Sequence, residues 1–214
     1  MALLVSEIFF SIQGESTHAG LPCVFVRLAG CNLRCSYCDT GHALEDGTRM
    51  SVEEVASRTI AYRVPLVEIT GGEPLLQEDV YSLMDTLLDA GSHVLLETNG
   101  SLPLGRVDSR IKRIVDVKCP GSGAVHSVNW ANMPLLGPRD EVKFVLSDRT
   151  DYDFARGAIL HHSLLARGCA VLLSPVRQRL EPKDLAGWML EDKLRGVRLQ
   201  LQLHRIIWGE ERGR

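Results

Sequence analysis

The feature that most constrains this chain is its alternation of short aliphatic runs with amphipathic stretches. Runs rich in β-branched and aliphatic residues fall at 24–28, 66–70, 93–97, 113–117, 141–146, 170–173 and 197–203, lengths that suit strands. Between them, residues 52–62, 77–90, 152–166 and 182–193 repeat apolar side chains at three and four, the helical period. Ser51 followed by Glu54 has the spacing of a capping box at the first helix. Strands separated by helices pair in parallel through right-handed crossovers, which predicts an α/β fold. A complete barrel of eight β/α units takes about 250 residues. With 214, the chain suits a shortened, open, partial TIM-type barrel of parallel strands with few helices. No internal repeat, low-complexity tract or Pro/Ser-rich linker divides it, so 1–214 reads as a single domain.

The formal net charge is −3, which gives no global pull toward nucleic acid or an anionic membrane; a small molecule suits the chain better as partner. No apolar run reaches the length of a membrane span, and Met1-Ala-Leu-Leu-Val lacks the basic flank and cleavage site of a secretory signal. The expected location is the cytoplasm, where thiols stay reduced, so six cysteines do not read as a disulfide framework. Cys23, Cys119 and Cys169 stand singly in or beside apolar runs and read as core packing.

Parallel strands collect their carboxyl ends on one face, and the chemically suggestive segments follow predicted strands. They are Thr70-Gly71-Gly72-Glu73-Pro74, Glu97-Thr98-Asn99-Gly100, Asp116-Val117-Lys118-Cys119-Pro120 and Ser174-Pro175, which should converge on one pocket.

The other three cysteines form Cys31-Asn-Leu-Arg-Cys35-Ser-Tyr-Cys38, a C-x3-C-x2-C loop spanning 31–38. Three thiolates on a 4Fe-4S cluster leave one iron open to bind and activate another molecule, whereas four would saturate it for electron transfer. A second reading is a Cys3His zinc site completed by His42.

In its C-x3-C-x2-C loop the chain resembles the radical S-adenosylmethionine (SAM) superfamily. The resemblance implies a radical SAM core in which the open iron chelates the methionine end of SAM. Reductive cleavage then yields a 5′-deoxyadenosyl radical that abstracts hydrogen from substrate. It also implies cofactor contacts at Tyr37, before the last cysteine, and at Gly71, Gly72 and Glu73, where backbone and carboxylate suit the methionine ammonium. Thr70, Thr98, Asn99, Lys118 and Ser174 are the candidates for the nucleoside end.

Phe10-Ser11-Ile12-Gln13-Gly14-Glu15, Arg27 and Cys38-Asp39-Thr40 stand near the start. Asp116-Val117-Lys118-Cys119-Pro120-Gly121-Ser122-Gly123 stands in the middle, and Val197-Arg198-Leu199-Gln200-Leu201-Gln202-Leu203-His204-Arg205 with Trp208 near the end. Together they resemble the 7-carboxy-7-deazaguanine synthase family of 7-deazapurine (queuosine) biosynthesis, over nearly the whole chain. The resemblance implies a lyase that contracts the ring of 6-carboxy-5,6,7,8-tetrahydropterin with loss of ammonia. In that setting Ile12, Gln13 and Glu15 face the pterin edge, while Arg27 and His204 take its carboxylate. Thr40 ligates Mg2+ together with the substrate, since a hard cation prefers oxygen donors. Glu97, at a strand end, is expected to exchange a proton with the radical intermediate. A reductant such as flavodoxin or ferredoxin and a homodimer, with Trp208 at its interface, are further implications.

Two positions depart from the family pattern: Ser16 stands where glycine is frequent, and Arg205 where lysine commonly follows the histidine. Gln200 and Gln202, alternating with leucines, read as the polar face of a final strand. A rival within the superfamily is an activase that installs a glycyl radical on a partner protein.

Overall fold

The computed structural model describes residues 2–44, 46–209, 211 and 213. Its strands are β1 (Ala2–Ile12), β2 (Pro22–Leu28), β3 (Thr48–Ser51), β4 (Leu66–Gly71), β5 (His93–Thr98), β6 (Lys112–Val117), β7 (Glu141–Leu146), β8 (Ala170–Pro175) and β9 (Val197–Leu199). The helices are α1 (Val52–Ile60), α2 (Val80–Asp89), α3 (Arg149–His161), α4 (Pro182–Glu191) and α5 (Leu203–Trp208). Among the described residues these nine strands join one sheet in the order β3-β1-β2-β4-β5-β6-β7-β8-β9. From β2 to β9 every neighbouring pair is parallel, whereas β1 is antiparallel to β2 and β3. With β3 and β9 at its edges the sheet does not close, as the expected partial barrel requires.

Strand alternation divides the side chains between two faces. Val24, Val26, Leu28, Val67, Ile69, Val94, Leu96, Val115, Val117, Val142, Phe144, Val171 and Leu173 form the main core together with Val55, Leu83, Leu87, Tyr152 and Leu185 of the helices. The opposite, inner face has a small apolar floor of Cys23, Phe25, Leu66, Leu95 and Ile114. Other inner positions carry polar groups, and those toward the carboxyl ends of the strands, Arg27, Glu68, Thr70, Glu97, Asp116 and Lys143, build the site described below. Cys23, Cys119 and Cys169 are buried in the apolar clusters, as their sequence settings suggest.

Several elements differ from their sequence expectations. β1 escapes a period-two reading because its register shifts between Val5 and Glu7. That bulge leaves Leu3 and Val5 on the helix side while turning Glu7 and Phe9 to the inner face. The strand expected over 197–203 ends at Leu199, so Gln200 and Gln202 are not a strand's polar face. Leu203 N–H donates to the Gly14 carbonyl at 2.9 Å, and the chain bends into α5 across the sheet's open end. α3 begins at Arg149 rather than Tyr152 because Asp148 caps it, accepting from Asp151 N–H at 3.0 Å. Before α2 the chain makes a 3-10 turn at Pro74–Leu76. Of the capping box, Ser51 Oγ accepts from Glu54 N–H at 3.1 Å, while the Glu54 carboxylate turns to Arg58 at 2.7 Å.

Candidate active site

A cavity of about 460 Å³ opens at the carboxyl ends of the parallel strands. Inner-face residues of five neighbouring strands line it: Arg27 of β2, Glu68 and Thr70 of β4, Glu97 of β5, Asp116 of β6 and Lys143 of β7. The three cysteines of the 31–38 loop stand at the same cavity, with Tyr37, Asp39 and Thr40. Ile12, Gln13, Gly14 and Glu15 enter from the end of β1, and Gln202, His204 and Arg205 from the start of α5.

Glycine holds the cysteine loop against its neighbour. A Cβ at Gly71, whose φ is +144°, would lie 2.1 Å from the Leu28 carbonyl oxygen, and one at Gly72 would lie 2.1 Å from that of Gly30. This contact lets Gly72 N–H donate to Leu28 O at 3.1 Å and Glu73 N–H to Gly30 O at 2.9 Å, tying β4 to the residues just before Cys31. On the other side, Ser36 N–H reaches Ser122 O at 2.9 Å and Ser36 Oγ reaches Gly121 O at 2.7 Å. The Pro120-Gly121-Ser122-Gly123 turn is therefore a rail for the loop.

The thiols suit an iron-sulfur cluster. All three are free; Leu33 N–H points at Cys31 Sγ at 3.4 Å and Asn99 Nδ2 at 3.8 Å, donors of the kind that steady a sulfur ligand. Burial pushes the Cys35 thiol up, and the neighbouring Lys118 charge works against it. His42 does not complete a zinc tetrahedron, because its Nε2 faces Glu7 Oε1 at 3.5 Å. Among the described residues no group of three His, Cys, Asp or Glu side chains is arranged around a single ion.

Lys143 organises the charge. It is 4% exposed, and its Nζ donates to Glu15 Oε2 at 2.7 Å and to Glu97 Oε1, with Asp116 Oδ2 at 3.9 Å. Burial would favour its neutral form, but Glu15, Glu97 and Asp116 outweigh burial and hold its pKa well above the usual lysine value. Glu15 shows the converse: burial works upward, yet Lys143 and then His204 keep its carboxyl below the ordinary range. Gln200 and Gln202 fasten the same carboxylate at 3.2 and 2.8 Å. Gln13 Nε2 donates to Glu68 at 2.5 Å. Burial, then the nearby Glu97, raises the Glu68 carboxyl well above a normal glutamate. Arg27 is not a charge on an exposed face: Glu7 Oε1 accepts from its Nε at 2.7 Å, fixing the guanidinium toward the cavity. Lys118 pairs with Asp116 Oδ2 at 2.8 Å, while Asp116 Oδ1 is buried with no hydrogen-bond partner among the described residues. Thr40 Oγ1 donates to Asp39 Oδ1 at 2.9 Å. Burial tends to raise Asp39, but this bond and Arg205 leave it lowered.

Two expected cofactor residues are placed elsewhere. Glu73 is fully buried, and its carboxylate accepts from Thr98 Oγ1 at 2.9 Å, Asn99 N–H at 2.7 Å and Leu75 N–H at 3.1 Å. It braces two strand ends and does not line the cavity, because three donors draw it inward. Ser174, 1% exposed on β8, is likewise no lining residue; Val176, Arg177, Gln178 and Arg179 just beyond it are. Tyr37 does line the cavity, its hydroxyl donating to Val145 O at 3.0 Å with the Arg179 guanidinium 5.7 Å from the ring centre. Thr70, Gly71, Gly72, Thr98, Asn99 and Lys118 line it as expected. Glu97 stands ion-paired to Lys143 rather than alone. Glu7, Glu68 and Lys143 had no role in the sequence reading. For Glu68 and Lys143 the signal was a charged residue inside a strand otherwise buried, whereas Glu7, on the half-buried and bulged β1, carried none.

The family model "Radical SAM superfamily" matches residues 26–160. The chain is 48% identical to the 7-carboxy-7-deazaguanine synthase of Chlorobaculum tepidum, across 98% of this chain and 96% of that one. The chain belongs to the 7-carboxy-7-deazaguanine synthase family of radical SAM enzymes. The Koribacter versatilis synthase is 45% identical over 97% of both chains. A solved structure, QueE from Escherichia coli, shares the fold at 24% identity, with a TM-score of 0.76 and 95% of each chain covered.

Proposed function

We propose that the chain, as one radical SAM domain over 1–214, contracts the ring of 6-carboxy-5,6,7,8-tetrahydropterin to 7-carboxy-7-deazaguanine with loss of ammonia. The observation that carries this is the placing of Glu15, locked by Lys143, Gln200 and Gln202, in one cavity with Cys31, Cys35 and Cys38. An ionised carboxylate accepts hydrogen bonds only, which suits the donor-rich edge of a pterin. A glycyl-radical activase has no need of such a pocket.

When bound, the 4Fe-4S cluster and SAM supply reductive carbon-sulfur cleavage and hence hydrogen abstraction. The three cysteines hold the cluster, and Tyr37, Gly71, Gly72, Thr98, Asn99 and Lys118 surround the cofactor. Gln13 and Glu15 orient the pterin, with Ile12 against its ring. Arg27, steadied by Glu7, pairs with the substrate carboxylate, and His204 closes over it from α5. Thr40, two residues after the last cysteine, would offer its hydroxyl oxygen to Mg2+, which would steady the substrate's oxygens. Glu97 exchanges a proton with the ring, beside the Lys143 ammonium. An electron donor such as flavodoxin or ferredoxin, a homodimer and a cytoplasmic location complete the proposal.

The test is anaerobic incubation of reconstituted enzyme with SAM, reductant, Mg2+ and the pterin. Deazaguanine and ammonia in equal amounts are expected. Consumption of SAM with neither product would overturn the substrate assignment.

A further inference from the structure

Below the cavity, at the opposite end of the strands, lies a second polar cluster that does not line it. Glu141, the first residue of β7, is fully buried. Its Oε1 accepts from Thr17 N–H at 3.0 Å and from Thr17 Oγ1 at 2.5 Å, and its Oε2 from the same N–H at 3.1 Å. Lys112, the first residue of β6, reaches Glu141 Oε1 at 2.7 Å and Thr17 Oγ1 at 2.6 Å. A buried carboxylate and an ammonium from two adjacent strands thus converge on one threonine of a surface loop.

That loop continues directly from the substrate-facing residues. Gln13 N–H donates to Leu21 O and Gly20 N–H to Gln13 O, both at 2.8 Å, so residues 13–21 close on themselves. Ser16 sits in the left-handed region at φ 64°, a conformation that disfavours a side chain by about 1–2 kcal/mol. It is kept there from outside by Gln200, whose Oε1 accepts from Ser16 N–H at 2.9 Å, and from within the loop by His18 N–H, which donates to Ser16 Oγ at 2.9 Å. The Thr17 anchor, one residue on and two from Glu15, is what the strained turn pulls against.

We infer that Glu141 and Lys112, acting through Thr17, are positioning residues that hold the Gln13–Glu15 segment in its binding geometry from beneath the cavity. This rests on the pterin assignment for its kinetic consequence, but not for the anchoring itself. A loosened loop populates the binding-competent arrangement less often, and apparent affinity falls by that fraction. The loss should appear for the pterin and not for SAM, whose candidate contacts lie on other elements.

The test compares reconstituted wild type with Glu141→Gln, Thr17→Val and Thr17→Ser. In Glu141→Gln we expect KM for the pterin to rise about 10-fold or more with kcat held within about threefold, as population arithmetic requires. KM for SAM should be unchanged. Thr17→Val should follow the same direction and Thr17→Ser, which keeps the hydroxyl, should stay near wild type. Amide hydrogen exchange, which needs no substrate, should quicken at residues 14–18 in Glu141→Gln and Thr17→Val alone. If Glu141→Gln does not fold, Thr17→Val carries both readouts. Unchanged exchange, or KM for SAM rising in step with that for pterin, would overturn the inference. Absence of deazaguanine from wild type while exchange quickens would instead sink the substrate assignment and leave the anchor standing.

Discussion

Replacing Lys143 by methionine deletes the ammonium that touches both Glu15 and Glu97 while keeping most of the side chain's volume. Removing one partner of a buried ion pair costs about 3–5 kcal/mol, because the other charge stays buried without compensation. The Glu15 and Glu97 side chains are 16% and 24% exposed, so water reaches part of each carboxylate and the lower end of that range applies, about 3 kcal/mol. Against a total stability of about 5–15 kcal/mol this is a large fraction. The loss is also pH-dependent. In the wild type the Glu15 carboxyl is held below its ordinary value of 4.5, so its contribution is present above that pH and lost as pH falls through the lowered value. Without Lys143, burial acts unopposed by that cation and raises the same carboxyl, a penalty felt at pH 8 and relieved by protonation toward pH 5. Urea unfolding of both proteins at pH 5.5 and pH 8 should therefore show the larger difference at pH 8. A difference below about 1 kcal/mol, the worth of a surface pair, or one independent of pH, would refute the reasoning.

Three further outcomes are expected. Gly72→Ala must push a Cβ away from the Gly30 carbonyl and Cys31, and should destabilise by about 1–3 kcal/mol and lower iron incorporation, read by unfolding and by iron per chain. Glu68→Gln removes a carboxyl whose pKa is raised well above 4.5 while keeping an acceptor for Gln13; the variant should be more stable than wild type at pH 8 by about 1 kcal/mol or more, shrinking to nothing near pH 4.5. Thr40→Ala should chiefly flatten the response of turnover to Mg2+, measured by titrating the metal, while leaving cluster content intact.

The parallel part of the sheet was legible because β2 and β4 to β8 carry their apolar residues in runs bounded by glycine, proline or polar turns. What the runs concealed was their inner face. Glu68, Lys143 and Asp116 interrupt hydrophobic strands, and sequence alone does not separate a tolerated charge from a member of a buried network. The cysteine loop was legible outright, since its spacing is local. The partners of Glu15 were not: Gln200 and Gln202 lie far along the chain, and their alternation resembled an ordinary strand until Leu203 bonded to Gly14 and turned the segment away. Glu73 misled because a carboxylate beside two glycines suits an ammonium ligand as well as it suits the backbone donors of Asn99 and Leu75. β1 was hidden by its bulge, which reverses inside and outside midway. Ser16 shows the limit of pattern comparison: its departure from glycine is accommodated in part through Gln200, far along the chain, at a distance no pattern displays.

The proposed function depends on a hydrogen-abstracting chemistry delivered by the three-cysteine loop to a pterin that Glu15 and Arg27 are proposed to hold. The most direct measurement is anaerobic turnover with a pterin bearing non-exchangeable deuterium on its reduced ring, followed by mass analysis of the adenosyl group in both 5′-deoxyadenosine and recovered SAM, since loss of ammonia alone relates pterin to deazaguanine and leaves no net change of oxidation state. Deuterium building up in that adenosyl group as deazaguanine forms is the expected result. Deazaguanine with an unlabelled adenosyl group in both species, from fully labelled substrate, would disprove it.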